Sequence, residues 1–338
     1  MSARSENEGF LGQQGGRRSL NTPALVIDRS ALQRNIDRMA KFAAGKAIGL
    51  RPHAKTHKSF EIASLQVAAG AKGVCCAKLG EAEALVSAGP IPSILITSPI
   101  VSDAAITRLV KLASETSELM LVVDHPDNVR KLAAVFDEDD PLHVLIDVDP
   151  GIHRTGVASP EAVLALAEEI SRHTALRFRG LQFYCGLHQH IQSYEERRTA
   201  IIERTDYLRG IVTLLSDAGM SPEIISGGGT GTHEIDAELG LFNELQVGSY
   251  VFIDNEYGEC ELFAEAENFE TALLVDTRII SCNTPGMATV DAGFKALSTD
   301  GGTPIVMDGV PEETRYIFMG DEHGALINAD HEFDHGAT

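Results

Sequence analysis

The sequence predicts an α/β fold: a (β/α)8 TIM-like barrel with a second, smaller, mostly-β domain. Three observations carry this expectation. Eight apolar, strand-like runs, near residues 47–50, 73–77, 93–97, 119–123, 143–148, 178–184, 223–226 and 245–252, alternate with helical stretches over about 210 residues. The runs are apolar along their length, as parallel strands buried on both faces should be. After about Tyr257 the pattern changes to β-like runs, at 270–281, 288–291 and 314–318, separated by turns such as Asn283-Thr284-Pro285-Gly286. Strand counting alone leaves a doubly wound open sheet as the competing arrangement.

Taken in order, residues 1–20 are rich in Gly, Ser, Gln and Arg and lack the apolar segment of a secretory signal; a flexible arm is expected. Ala24-Leu25-Val26-Ile27 reads as a strand, and Asp28 or Ser30 then caps a helix with Leu32, Ile36, Met39 and Phe42 on one face. Ser102-Asp103 starts another helix, as does Ser159-Pro160-Glu161 with proline in the first turn, and Ala88-Gly89-Pro90 ends one. Residues 21–258 form the expected barrel domain and 259–338 the β-domain.

Composition narrows the function classes. The 338 residues are 43% hydrophobic and carry a net charge of −21, which argues against nucleic acid and anionic membranes as partners while leaving room for an anion in a locally positive pocket. No apolar run approaches the roughly 18 residues of a membrane span. Five cysteines, Cys75, Cys76, Cys185, Cys260 and Cys282, show no framework spacing and suit a reducing cytoplasm; the adjacent Cys75-Cys76 pair, in an apolar run, reads as buried thiols.

The polar residues fall at strand exits, where barrels of this kind place their chemistry. The exits give Lys55, Lys78, Ser98, Asp124, Arg154, Tyr184, then Gly227 to Thr230, then Gln246 to Tyr250. In Arg51-Pro52-His53-Ala54-Lys55-Thr56-His57-Lys58, a lysine just past a strand end is where an aldehyde cofactor, pyridoxal phosphate, would be bound covalently. His53 and His57 would instead ligate a metal if this stretch were helical. Ser226-Gly227-Gly228-Gly229-Thr230-Gly231-Thr232 lets backbone N–H groups wrap a phosphate; the bland alternative is a flexible turn. Arg154, in Asp147 to Gly156, can donate to a phenolate-type oxygen or a carboxylate, or pair with an aspartate. His188 and His190 follow the Tyr184 exit and titrate near neutrality, as proton transfer requires.

These segments, with Asn21-Thr22-Pro23-Ala24-Leu25, Cys76 to Glu83, Gly180 to Tyr184 and Gln246-Val247-Gly248-Ser249-Tyr250, resemble the fold-type III pyridoxal-phosphate enzymes with an alanine-racemase-like barrel. The nearer likeness is to the D-threonine aldolase, 3-hydroxy-D-aspartate aldolase and D-serine dehydratase group, over about residues 20–258. The resemblance implies that Lys55 bonds the cofactor, that Arg154 faces its 3-oxygen and that Tyr184 lies against its ring. It implies that Gly228, Gly229, Thr230 and the Gly248–Tyr250 backbone hold its phosphate, and it moves strand 24–27 into the β-domain. Gln246 stands where racemases of this fold place an arginine by the ring nitrogen. The implied reaction is retro-aldol cleavage of a β-hydroxy-D-amino acid to glycine and an aldehyde, with His190, then His188, as the base. Dehydration, racemization and cofactor binding without turnover are the alternatives. A homodimer and a divalent metal (Mg, Mn or Zn) are also implied. The family's Pro-x-His-x-Asp/Cys metal segment is absent after Gly320-Asp321-Glu322-His323-Gly324, so a shortened C-terminal domain is expected, with His331, Glu332 and His335 as a substitute ligand set to be tested.

Overall fold

Each of the eight apolar runs becomes a short parallel strand with both faces covered. The computed structural model describes residues 6–10, 12–264 and 268–337, and the chain divides into two units. The elements run β1 (Ala24–Ile27), α1 (Arg29–Gly45), β2 (Gly49–Leu50), α2 (Phe60–Ala68), β3 (Val74–Cys76), α3 (Leu79–Ala88), β4 (Ile94–Ile96), α4 (Asp103–Ser114), β5 (Leu119–Val123), α5 (Pro126–Ala133), β6 (Leu142–Asp147), α6 (Pro160–Ser171), β7 (Leu176–Phe183), α7 (Tyr194–Asp217), β8 (Ile224–Gly227), α8 (His233–Leu239) and β9 (Glu244–Leu245). They continue through α9 (Asn255–Gly258), β10 (Leu273–Asp276), β11 (Ile279–Thr284), β12 (Met287–Val290), β13 (Arg315–Phe318) and β14 (Gly324–Ile327).

In the larger unit, residues 33–251 and 260–269, the sheet order is β2-β9-β8-β7-β6-β5-β4-β3, and every adjacent pair is parallel. The sheet closes on itself. Lys72 N–H donates to Leu50 O at 2.8 Å, Cys75 N–H donates to Pro52 O at 2.8 Å, and His53 bridges Cys75 in parallel. That closure decides for the barrel over the open sheet. Side chains of β3 to β6 such as Leu95, Met120, Val122 and Leu145 are completely buried. The helices start where expected: Asp28 Oδ1 accepts the N–H groups of Ser30 and Ala31, and the hydroxyls of Ser102 and Ser159 cap α4 and α6, the latter with Pro160 in its first turn. Cys75 and Cys76 are fully buried.

The barrel interior is not wholly apolar. Arg51, at the end of β2, donates through Nε to Glu244 Oε1 on β9 at 2.9 Å, and the two side chains are 3% and 1% exposed. Ser226 donates to the same carboxylate at 2.8 Å, and Arg51 also reaches Ser93, which donates to Glu118. A buried charge is tolerated only when paired and hydrogen-bonded like this.

In the smaller unit β1 pairs antiparallel with β10, and a second antiparallel sheet runs β11-β12-β14-β13 over a core of Ile279, Ala288, Val290, Tyr316 and Leu326. Three expectations change here. Residues 1–5 and 11 of the expected arm lie outside the described residues. The rest is tied down: Arg17 forks onto Asp276 at 2.7–3.0 Å, and Asn7 pairs with Asn21 at 2.7 and 3.1 Å. The domain boundary is also less simple than a cut at 258. Residues 252–259 join the smaller unit while 260–264 and 268–269 stay with the barrel. Arg197 of α7 donates to Glu261 O, and Phe263 and Phe269 pack on His233 at 4.9 and 5.8 Å. Last, the apolar run expected as one strand to 252 stops at Leu245. Gln246 and Val247 keep one backbone bond each to the neighbouring strand ends, Gln246 N–H to Gly227 O at 2.8 Å and His53 N–H to Val247 O at 2.9 Å, and Ser249–Val251 wind into a 3-10 turn.

Candidate active site

Lys55 is carried on a single 3-10 turn, Ala54–Thr56, directly after β2. Neither histidine beside it has the geometry of a metal pair. His53 Nδ1 accepts the Lys55 N–H at 3.4 Å, and its Nε2 lies 3.1 Å from Thr97 Oγ1. Thr97 gives its own proton to Cys76 O at 3.2 Å, so His53 donates from Nε2 and stays neutral. Burial and then the Lys55 charge lower its pKa to about 3. His57 turns the other way, to Gln66 Oε1 at 3.2 Å, and burial lowers its pKa to about 4. These imidazoles hold the turn that presents Lys55.

The turn opens into a cavity of about 570 Å³ at the C-terminal mouth of the barrel, lined by Lys55, Lys78, Ser98, Asp124, Arg154, Tyr184 and Gln246 among others. One residue from nearly every predicted strand exit is thus brought to one place. Lys55 Nζ lies 5.4 Å from the centre of the Tyr184 ring, and the Arg154 guanidinium lies 5.9 Å from it. Burial, followed by the Arg154 charge, lowers the Lys55 pKa below its ordinary value, which enlarges the fraction of free, nucleophilic amine.

Arg154 owes its place to Asp149 rather than to an ion pair. Asp149 Oδ1 accepts the N–H groups of Gly151, Ile152 and His153 at 2.9–3.0 Å, and Oδ2 meets His153 Nδ1 at 2.8 Å. That cradle folds the turn from which Arg154 projects. Asp147 accepts from Gln182 at 2.9 Å and from Thr155 at 2.8 Å, and burial raises its pKa to about 6. Gln182 in turn accepts from Gln246 Nε2 at 3.2 Å, and Ser226 Oγ accepts from the same nitrogen at 3.0 Å. Both protons of the Gln246 amide are committed, which leaves its oxygen as the atom it can offer the cavity.

The glycine loop after β8 and the segment after β9 converge: Tyr250 N–H donates to Thr230 Oγ1 at 3.0 Å, and Gln66 links Tyr250 to His57. Three buried side chains shape this loop: Gln189 and His233, which the sequence did not single out, and Thr232, whose hydroxyl turns inward to Asp236 instead of toward a ligand. Gln189 Oε1 accepts the Gly231 N–H at 3.0 Å. Thr232 Oγ1 accepts the Gly229 N–H at 3.2 Å and donates to Asp236 at 2.6 Å. His233 Nδ1 holds Thr230 O at 2.7 Å. The amides of Gly229 and Gly231 therefore point into the protein, while those of Gly228, Thr230 and Gly248 have no acceptor among the described residues. Thr230 Oγ1 accepts from Tyr250, so its hydroxyl proton is available to a ligand. Glycine is required at 228, where φ is +66°, and at 231, where a Cβ would collide with Gln189 O. Donors turned outward without acceptors suit an anion such as a phosphate.

His188 and His190 do not line the cavity. His188 ends a 3-10 turn with its Nδ1 buried and unpartnered, and His190 is exposed. Among the described residues no group of three or more His, Cys, Asp and Glu side chains stands in metal-holding geometry; His331 packs edge-on against Phe333 instead. The described residues thus do not fit the divalent ion, whereas the cavity, the amine, the guanidinium and the outward amides fit pyridoxal phosphate. No helix is long and apolar enough to cross a membrane among the described residues.

Comparison with known proteins agrees with this geometry. Residues 27–256 match the alanine racemase N-terminal domain family, and residues 272–337 match a serine dehydratase domain. The chain is 36% identical over 318 residues to a 3-hydroxy-D-aspartate aldolase of Paracoccus denitrificans, covering 92% of this chain and 81% of the relative. It is 32% identical over 297 residues to a D-threo-3-hydroxyaspartate dehydratase of a Delftia species, covering 84% and 74%. The crystal structure of D-threonine aldolase from Filomicrobium marinum superposes with a TM-score of 0.88 at 35% identity, covering 94% of this chain and 85% of that one. With its family match spanning most of the barrel and these identities spanning most of both partners, the chain belongs to the alanine-racemase-like, fold-type III pyridoxal-phosphate family, in the group that contains the D-threonine and 3-hydroxy-D-aspartate aldolases and the D-serine dehydratases.

Proposed function

We propose that the chain is a pyridoxal-phosphate-dependent carbon–carbon lyase that cleaves β-hydroxy-D-amino acids, of the 3-hydroxy-D-aspartate or D-threonine type, to glycine and an aldehyde. One observation carries the reading: Lys55 and Arg154 meet over Tyr184 in the mouth of a barrel that is 36% identical to an aldolase of this type. Bound pyridoxal phosphate supplies the electron sink for the pair left on the α-carbon when the Cα–Cβ bond breaks. The protein's part is positional and electrostatic. Lys55 presents an amine whose pKa is lowered, Arg154 offers a forked donor to an oxygen anion, and Tyr184 gives a flat apolar wall. The amides of Gly228, Thr230 and Gly248 and the Thr230 hydroxyl would hold the phosphate, while Gly229 and Tyr250, expected as direct contacts, shape the cradle instead through their N–H bonds to Thr232 and Thr230. Gln246 is a neutral, immobilised amide beside the ring nitrogen.

His190 and His188 stand outside the cavity lining, so neither is assigned the proton of the β-hydroxyl. His190→Gln is therefore expected to keep kcat within about threefold of wild type, its side chain being exposed outside the cavity and out of reach of the proton; a loss of about 100-fold would contradict this and make it the base. The cradle makes a second expectation. Gln189→Ala strips the hydrogen-bond partner from the Gly231 N–H and from Thr232, and should weaken pyridoxal phosphate binding about tenfold or more in a fluorescence titration.

The substrate assay compares D-3-hydroxyaspartate with D-threonine, with and without Mn²⁺ or Mg²⁺. Glyoxylate or acetaldehyde appearing with glycine supports the aldolase; oxaloacetate or 2-oxobutyrate with ammonia means a dehydratase. The dehydratase reading is second because the Delftia relative is the less similar. A homodimer in the cytoplasm accompanies the proposal.

A further inference from the structure

Beneath the glycine loop lies a carboxyl that the proposed chemistry does not use. Asp236, on α8, is 2% exposed. Its Oδ2 accepts the Thr232 hydroxyl at 2.6 Å, and Thr232 Oγ1 itself accepts Gly229 N–H at 3.2 Å and Gln189 Nε2–H at 3.1 Å. A Cβ on Gly228 would fall 2.5 Å from the same carboxyl oxygen. The carboxyl therefore packs directly on the inner face of the loop whose outer face offers the amides of Gly228 and Thr230.

Among the described residues no charged group acts on it. On α8 itself, His233 is buried and turned to Thr230 O, and Glu234 accepts the Ala264 N–H. From the end of β7 the Cys185 thiol faces it; burial and then the Asp236 charge raise that thiol's pKa. From β9 the Leu245 Cδ2 methyl lies 3.1 Å from where a Gly228 Cβ would sit. Arg204 acts on Cys185 and is not among the groups acting on Asp236.

A dianion outside the loop and a carboxylate inside it would face each other across one layer of backbone, in surroundings too dry to screen them. We propose that Asp236 takes up a proton when a phosphate ester occupies the Gly228–Thr230 loop, so that anion affinity at this site is coupled to the protonation of Asp236. The inference rests on the reading of the loop as a phosphate cradle. Burial, opposed by the Thr232 hydrogen bond, raises the Asp236 pKa to about 7, which puts the exchange at working pH. By linkage, an anion that raises this pKa further binds more weakly as pH climbs above its free value.

The test uses pyridoxine 5′-phosphate and pyridoxine as non-covalent probes of the full chain. The ratio of their dissociation constants isolates the phosphate and cancels the ionisation of the ring, and above about pH 7 the phosphate's second ionisation is nearly complete. The expected result is a phosphate advantage that falls by up to about tenfold per pH unit above neutrality, with close to one proton taken up per phosphate bound when calorimetry is run in two buffers of different ionisation heat. Asp236→Asn should flatten the slope and abolish the uptake, while Cys185→Ala keeps both. A phosphate advantage that does not change with pH in the wild type, or a slope that survives Asp236→Asn, overturns the inference and leaves the cradle standing. No phosphate advantage at any pH overturns the cradle and the inference together. The two-buffer measurement on the wild type decides even where Asp236→Asn does not fold.

Discussion

Lys55→Ala is expected to fold normally and to lose turnover by roughly 10⁴-fold or more, the scale seen when a catalytic nucleophile is removed. The side chain enters the cavity and is exposed there, so truncation opens no void in the core. Its backbone N–H is what binds His53, and alanine keeps that bond. The visible absorbance of a lysine-bound cofactor should vanish. Some affinity for pyridoxal phosphate should remain, because the amides of Gly228 and Thr230 and the Arg154 guanidinium are untouched. Loss of fold, or turnover within tenfold of wild type, would contradict the assignment.

The second large effect is structural. Glu244→Ala leaves the Arg51 guanidinium 2% exposed with its partner gone. Burial works against the Arg51 charge, and Glu244, joined by smaller contributions from Cys75 and Glu118, overcomes it. An unpaired buried charge of this kind costs about 3–5 kcal/mol, which should lower the thermal midpoint of the barrel by about 10 °C. Ser226 also loses its acceptor, and with it the order of Gln246 at the cavity floor. Replacing both ends, Arg51→Met with Glu244→Met, is expected to recover much of the loss. A midpoint within 2 °C of wild type for Glu244→Ala, or no recovery in the double variant, would contradict the account of this plug.

The contrast between these residues shows what a sequence can disclose. The barrel was legible because burial on both faces writes itself as unbroken apolar runs, and Lys55, Arg154, Tyr184 and Gln246 were legible because each follows such a run. Asp236, Gln189 and His233 were not. Each acts on a loop through a hydrogen bond whose partner is fixed by chain folding, and in sequence they are an acid, an amide and an imidazole like many others. Arg17 was hidden for the same reason, since its partner Asp276 lies 259 positions away. Strand β14 passed unnoticed because Gly324-Ala325-Leu326-Ile327 is short and its pairing with β12 and β13 leaves no local trace. His188 and His190 mark the opposite error: two imidazoles after a strand exit suggested the cavity, but the 3-10 turn Gly186–His188 instead brings Gln189 under the glycine loop.

Two lysines line the cavity, Lys55 and Lys78, and the account depends on which of them bonds the cofactor. Borohydride reduction of the wild-type holoenzyme, followed by proteolysis and mass mapping, separates them. The arrangement over Tyr184 predicts the pyridoxyl group on the peptide that holds Lys55 and on no other. A label on the Lys78 peptide, or no label on either, would contradict it.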